Sequence, residues 1–221
     1  MKTVSFRDSP STRRVGKILC LGRNYEAHVL EMRASVLETP VVFLKPSTAL
    51  LSSGFDVVIP PFARELHHEV ELVVLIGRNG KKIPRTVALE YVAGYAVGLD
   101  MTLRDVQAEA KKGGLPWTVA KGFDTAAPVS SFVAPEAVPD PHHLAIALQV
   151  NGLTRQTSNT SKMILSIEQI IEYLSTVFTL EEGDLIFTGT PSGVGPVVPG
   201  DQLHAEIESV GFLEVGIRAE H

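Results

Sequence analysis

Apolar positions along the chain come in short runs rich in branched residues, separated by clusters of turn formers. The pattern predicts strands at Lys17–Leu21, Val41–Leu44, Val57–Ile59, Val70–Ile76, Tyr95–Leu99, Ala145–Val150, Asp184–Thr188, Gln202–Ile207 and Leu213–Ile217. Asn151-Gly152 follows an apolar run and fits a type I′ hairpin turn, which needs positive φ at both positions. Val210-Gly211 joins the last two strands, and Gly183-Asp184 and Gly200-Asp201 each end a turn before a strand. Helical signals are fewer. Asn24 caps a short helix over Tyr25–Met32, and Thr102 caps another through Lys112. Ser166 with Gln169 forms a capping box that opens Ile167–Ser175. Strands do not alternate regularly with helices, which argues against a doubly wound sheet. The expected fold is mostly β with a few helices (α+β), its mixed sheets rolled into a sandwich or barrel. Residues 1–16 read as a loose arm and 17–221 as one catalytic domain.

Composition narrows the function classes. Of 221 residues, 44% are hydrophobic and 20% charged, enough for a sizeable core. A net charge of −5 argues against a nucleic-acid partner. The single cysteine, Cys20, excludes an internal disulfide and a cysteine-only zinc site. No apolar run approaches the ~18 residues of a membrane span. Residues 1–14 hold no apolar signal core, so the expectation is a cytoplasmic protein with no membrane partner.

Four features carry candidate chemistry. In His67-His68-Glu69-Val70-Glu71, strand alternation points Glu69 and Glu71 the same way, with Val70 and Leu72 on the other face. Two such carboxylates repel each other unless water or a cation intervenes. A solvated strand face is the plain alternative, but Asp100, at the end of another apolar run, completes an oxygen set suited to a hard dication. His67 shares the glutamates' face and is expected near them. After Thr102, Arg104, Gln107 and Lys111 share a helix face; Lys111 reads as solvated. His28 and Glu31 lie three apart on the short helix, the make-up of a general base held by a carboxylate. That helix, between loops at 22–24 and 33–40, reads as a mobile lid. Lys45 and Lys121 sit in small or apolar surroundings, where a partly buried ammonium would attract an enolate or carboxylate. The glycines of Thr188–Pro196 suggest a tight loop but lack the ending of a nucleotide-binding loop. Cys20 reads as core.

Together these residues resemble the fumarylacetoacetate hydrolase family. The resemblance rests on Gly22-Arg23-Asn24-Tyr25 with His28 and Glu31, Phe43-Leu44-Lys45-Pro46, His68-Glu69-Val70-Glu71, Leu99-Asp100 with Thr102–Gln107, Ala120-Lys121, and Thr188-Gly189-Thr190-Pro191 with Gly193–Pro196. It spans about residues 17 to 217 and is similar in length to the short members, the acylpyruvate hydrolases and oxaloacetate decarboxylases. It implies the β-roll of the family's C-terminal domain, a homodimer, and Mg²⁺ (or Mn²⁺) held by Glu69, Glu71 and Asp100. It also implies catalytic roles for His28, Glu31 and Lys121, and substrate contacts from Arg23, Lys45, Arg104, Gln107 and Thr190. The implied reaction is metal-dependent C–C hydrolysis of acylpyruvates to pyruvate and a carboxylic acid, by a His–Glu activated water and an enolate. Oxaloacetate decarboxylation or keto–enol tautomerisation at the same site is the alternative, and a non-catalytic binder of metal and oxo acids a further one.

Overall fold

The computed structural model describes residues 2–31 and 39–220. Its centre is a mixed seven-stranded sheet. In spatial order its strands are Val41–Lys45, Ile18–Gly22, Leu185–Phe187, Val70–Ile76, Val92–Leu99, Ala127–Val129 and Leu50–Ser52. A five-stranded sheet packs across it, in the order Leu153–Asn159, Ala145–Val150, Gln202–Ile207, Gly211–Ala219 and Asp56–Ile59. A small three-stranded sheet joins Thr102–Leu103, Leu66–His68 and Gly195–Val197. The four α-helices among the described residues are α1 (Glu26–Glu31), α2 (Arg104–Lys112), α3 (Thr118–Lys121) and α4 (Ile167–Val177). None of the described helices is long and apolar enough to cross a membrane.

Strand alternation divides the core into two layers. Val70, Leu72 and Val74 face the larger layer, against Ile146, Leu148, Leu203 and Leu213 of the second sheet and Ile170 and Leu174 of α4. Val73 and Leu75 face the smaller layer with Ile18, Cys20, Ala96 and Phe187. Val70–Ile76 is buried along its whole length, so a one-sided solvated strand does not apply.

Expectation and structure part at several elements. Asn151 and Gly152 have φ of 52° and 76°, as a type I′ turn requires. The capping box at Ser166 and Gln169 is present and opens α4. Thr102 caps nothing: it lies in a strand, its hydroxyl donates to Asp100 O, and α2 starts two residues later without a side-chain cap. Met32, the expected end of the first helix, and most of the loop 33–40 lie outside the described residues. Residues 3–14 are no loose arm. Thr3–Phe6 and Ser9–Arg14 form a hairpin, Val4 and Val15 are buried, and Arg7 N donates to Phe132 O at 2.9 Å. Its polar composition hid two strands whose few apolar residues cover the smaller layer.

One close approach sets the spacing of the central strands. Gly98 lies opposite Glu71, and a Cβ there would overlap Val73 Cγ2 and come 2.8 Å from Phe187 Cε1. Both neighbours are fully buried, so neither moves freely. Gly98→Ala is expected to lower stability by about 1–3 kcal/mol through overpacking. A urea unfolding curve checks this; a midpoint equal to wild type would refute the tight approach.

Candidate active site

The pairing of Val70–Ile76 with Val92–Leu99 builds the site's floor. Val70 pairs with Leu99 and Glu71 with Gly98, and Asp100 N donates to Glu69 O at 2.8 Å. Two neighbouring strand ends thereby bring Glu69, Glu71 and Asp100 together. One carboxylate oxygen from each lies within 4.8 Å of the others, and all three residues are buried. His67 and His68 do not join them. His67 pairs with Glu65 at 2.7 Å, and His68 Nδ1 donates to Gln156 Oε1 at 2.9 Å.

Positive charge is arranged around the cluster. Lys121, at the end of α3, donates to Glu69 Oε2 at 2.9 Å and Asp100 Oδ2 at 2.6 Å, with Phe43 under its ammonium. Arg104 Nη2 donates to Glu69 Oε1 at 2.5 Å. Burial pushes Glu69 up, but Lys121 and Arg104 outweigh it and hold this carboxyl well below the usual range. Glu71 has no such cation. Burial first, then Asp100 and Glu69, push its carboxyl well above the usual range; the Gly189 N–H, donating at 2.7 Å, opposes this only in part. Gly189 is the residue that can make that contact: its φ is +100°, and a Cβ would sit 2.7 Å from Asn24 Cβ.

Beside the carboxylates lies a cleft of about 70 Å³, lined by Arg23, His28, Arg104, Gln107, Lys121 and Thr190 among others. His28 is buried, and its Nδ1–H donates to Glu31 Oε2 at 3.2 Å, which leaves Nε2 as the acceptor. Glu31 is itself held by Gly193 N at 3.0 Å. Asn24 ties the turn before α1 to the core by donating to Thr188 O and accepting from Leu165 N, each at 2.8 Å. On α2, Arg104 Nη1 donates to Gln107 Oε1 at 2.7 Å, so the amide N–H₂ of Gln107 is the group free for other partners.

Two expected substrate contacts are engaged elsewhere. Lys45 is fully buried, lies outside the cleft lining, and donates to the carbonyls of Met101 and Lys121 while its ammonium sits 2.8 Å from Asp100 Oδ1. It positions Asp100 and leaves no proton for a ligand. The Thr190 hydroxyl donates to Val70 O and accepts from Gln156 Nε2. Lys111, expected in solvent, is exposed but stands at the cleft mouth, 5.1 Å from the centre of the Trp117 ring. Reading the sequence missed Phe43 and Trp117 in the lining and Gln156 beneath it. Gln156 is the one buried residue of the polar strand Leu153–Asn159, and it fixes His68, Val70 N, Thr190 and Pro191 O. A lone amide among exposed neighbours would have been its signal.

The donors suit a hard dication. All are carboxylate oxygens on buried residues, and the crowding of negative charge at Glu71 calls for positive charge.

The chain is similar to known proteins. Residues 17–218 match the family described as Fumarylacetoacetate (FAA) hydrolase C-terminal. The mitochondrial oxaloacetate tautomerase FAHD1 of Mus musculus is 58% identical over 201 residues, 91% of either chain. Its Homo sapiens counterpart is 54% identical over 203 residues, 92% of this chain and 91% of its own. The crystal structure of fumarylpyruvate hydrolase from Pseudomonas aeruginosa, in complex with Mn²⁺ and pyruvate, superposes with a TM-score of 0.96 at 40% identity, covering 99% of this chain and 96% of that one.

The opposite shifts of the two glutamates predict a pH signature. The stabilisation from Glu69, whose carboxyl is depressed, is complete above the ordinary glutamate range. Glu71, whose carboxyl is raised, acts in the other direction. Its folded state holds a proton that the unfolded chain has released, so stability falls as pH rises from the ordinary glutamate range through the elevated value. Chelator-treated protein should lose thermal stability over that span, Glu71→Gln should flatten the loss, and Mn²⁺ should reverse it in wild type alone. A slope indifferent to both would contradict the geometry.

Proposed function

We propose that this chain, which belongs to the fumarylacetoacetate hydrolase family, is a divalent-metal-dependent enzyme that interconverts the keto and enol forms of oxaloacetate. The observation that carries this reading is the charge pattern of the cleft. Arg23, Arg104, Lys111 and Lys121 face three carboxylates. With a dication on Glu69, Glu71 and Asp100, positive charge is in excess, which favours a compact dianionic acid. The names of the relatives at 54–58% identity support the same substrate.

Glu69, Glu71 and Asp100 would hold Mg²⁺ or Mn²⁺, which supplies Lewis acidity toward the oxygens of a 2-oxo acid. His28 Nε2 takes a proton from C3 of the keto form, and the C–H electron pair becomes the C2–C3 double bond of an enolate. Glu31, on Nδ1, keeps Nε2 basic and stabilises the imidazolium that results. Lys121 places a buried positive charge near the oxygen that becomes negative. That oxygen then takes the proton back from the His28 imidazolium, which gives the enol and returns Nε2 to its neutral form. Arg104 and the Gln107 amide orient the acid.

The His28–Glu31 pair favours acylpyruvate hydrolysis as a second reading. If Nε2 deprotonates a water instead, hydroxide attacks the distal carbonyl and the C–C bond breaks to leave pyruvate enolate and a carboxylic acid. Decarboxylation of oxaloacetate passes through the same enolate. Cytoplasmic location remains part of the proposal, whereas a mitochondrial one is in the names of the relatives.

With Mn²⁺-loaded protein, decay of enol absorbance from oxaloacetate and pyruvate release from acetylpyruvate test both readings. His28→Ala is expected to lower either rate by roughly 10²–10⁴-fold, as for a lost general base. Wild-type rates at the metal-only background for both substrates would overturn the proposal.

A homodimer is also proposed. An apolar groove of about 720 Å³, lined by residues 41–47 and 115–118, exposes Leu44 and Leu115 beside the cleft. Light scattering should give twice the 23.9 kDa of one chain, and Leu115→Glu should shift it toward a single chain.

A further inference from the structure

Of the four cations in the cleft lining, Arg23, Arg104, Lys111 and Lys121, two are committed to the carboxylates. Arg104 is committed to Glu69 and Gln107, and Lys121 to Glu69 and Asp100. Both serve the carboxylate cluster. Lys111 serves none of it: among the described residues its ammonium meets the Trp117 face and no carboxylate. Trp117 is in turn fixed against Phe43, with ring centroids 5.9 Å apart. Lys111 therefore lies over a firm aromatic shelf at the entrance, not free in solvent.

Its position follows from the helix. Arg104, Gln107 and Lys111 occupy one face of α2 at i, i+3 and i+7. At 1.5 Å per residue, Lys111 is about 10 Å along the axis from Arg104. The row leads from the carboxylate cluster to the mouth. A small acid held at the cluster by its 2-oxo end would extend its other end along this row.

The electrostatics agree. Partial burial against Trp117, and then Arg104, Arg23 and Lys121, make the charged form of Lys111 harder to keep. Crowding like charges costs free energy unless an anion enters among them. Glu69 opposes this, but as the smallest of these influences, so an anionic guest at the mouth would relieve the crowding.

We propose that Lys111, seated on Trp117, binds the distal carboxylate of the substrate and so selects 2-oxo dicarboxylic acids over 2-oxo acids with an uncharged end. This deepens the function proposed above and rests on the same cleft. Among the candidate reactions it favours substrates that carry a second carboxylate: oxaloacetate, and acylpyruvates whose acyl group is itself acidic.

The test uses a matched pair of ligands on the Mn²⁺-loaded protein, 2-oxoglutarate and 2-oxopentanoate. They have equal chain length and differ in the distal carboxylate. Wild type should prefer 2-oxoglutarate by calorimetry. Lys111→Met, which keeps a long side chain on Trp117, should weaken 2-oxoglutarate about tenfold, as for a lost charge-assisted hydrogen bond, and leave 2-oxopentanoate affinity in place. Lys111→Arg should restore the preference. In turnover, Lys111→Met should raise KM for oxaloacetate more than for acetylpyruvate. Absence of preference in wild type, or equal weakening of both ligands in Lys111→Met, overturns the proposal. Preference retained by a protein that turns over neither oxo acid supports the role of Lys111 and sinks the proposed reactions instead.

Discussion

Three carboxylates within 4.8 Å of one another, all buried, are the constraint around which the rest of this chain is organised. Left alone they would not all ionise, because burial and mutual repulsion both favour the neutral acid. The protein meets this unevenly. Glu69 receives Lys121 and Arg104, Asp100 receives Lys121 and the ammonium of Lys45, and Glu71 receives a single backbone N–H. The asymmetry leaves one carboxylate without a cation of its own. That is the arrangement expected where an exchangeable dication, rather than a fixed lysine, completes the charge balance.

The sheets serve this cluster. Glu71 and Asp100 come from adjacent antiparallel strands whose register is held by Gly98, since a larger residue there would push the pair apart. Gly189 can reach Glu71 only because its backbone turns through positive φ against Asn24. Asn24 in turn anchors the segment that presents His28. His28 and Glu71, 43 residues apart in sequence, are thus linked through one glycine turn. α1 is six residues long, too short to persist by its own hydrogen bonds, so tertiary contacts hold it: buried His28 and Val29 and the Glu31–Gly193 bond. What positions the base is therefore the loop after Phe187 as much as the helix that carries it.

How far this was legible in the sequence follows from where each residue sits. The buried central strand Val70–Ile76 announced itself by its apolar run, and it, Ala145–Val150 and Gln202–Ile207 have the bounds their patterns predicted. Polar edge strands such as Ser9–Arg14 and Leu153–Asn159 did not, because an edge buries only a few of its side chains. The three acids were legible as charges adjoining strands with no solvent face. Lys45 was legible as a lysine in apolar surroundings, but not in its role, since only the fold places Asp100 beside it. Trp117 and Phe43 carried no local signal, and Gln156 only that of an amide in a polar strand; their part is created by tertiary contact.

Tautomerisation, decarboxylation and hydrolysis share an enolate, so the residues that stabilise its charge do not choose among them. With His28 in the role proposed for it, the choice would fall to what Nε2 meets: a C–H of the substrate, or a water beside a second carbonyl. That in turn depends on what lies at the far end of the acid. A distal carboxylate offers no good carbonyl for attack, because resonance spreads its negative charge over both oxygens, which lowers the electrophilicity of the carbon and repels hydroxide. A distal ketone offers one. Under the role proposed for Lys111, the mouth of the cleft would thus bear on the chemistry at the floor by deciding which acid is presented to His28.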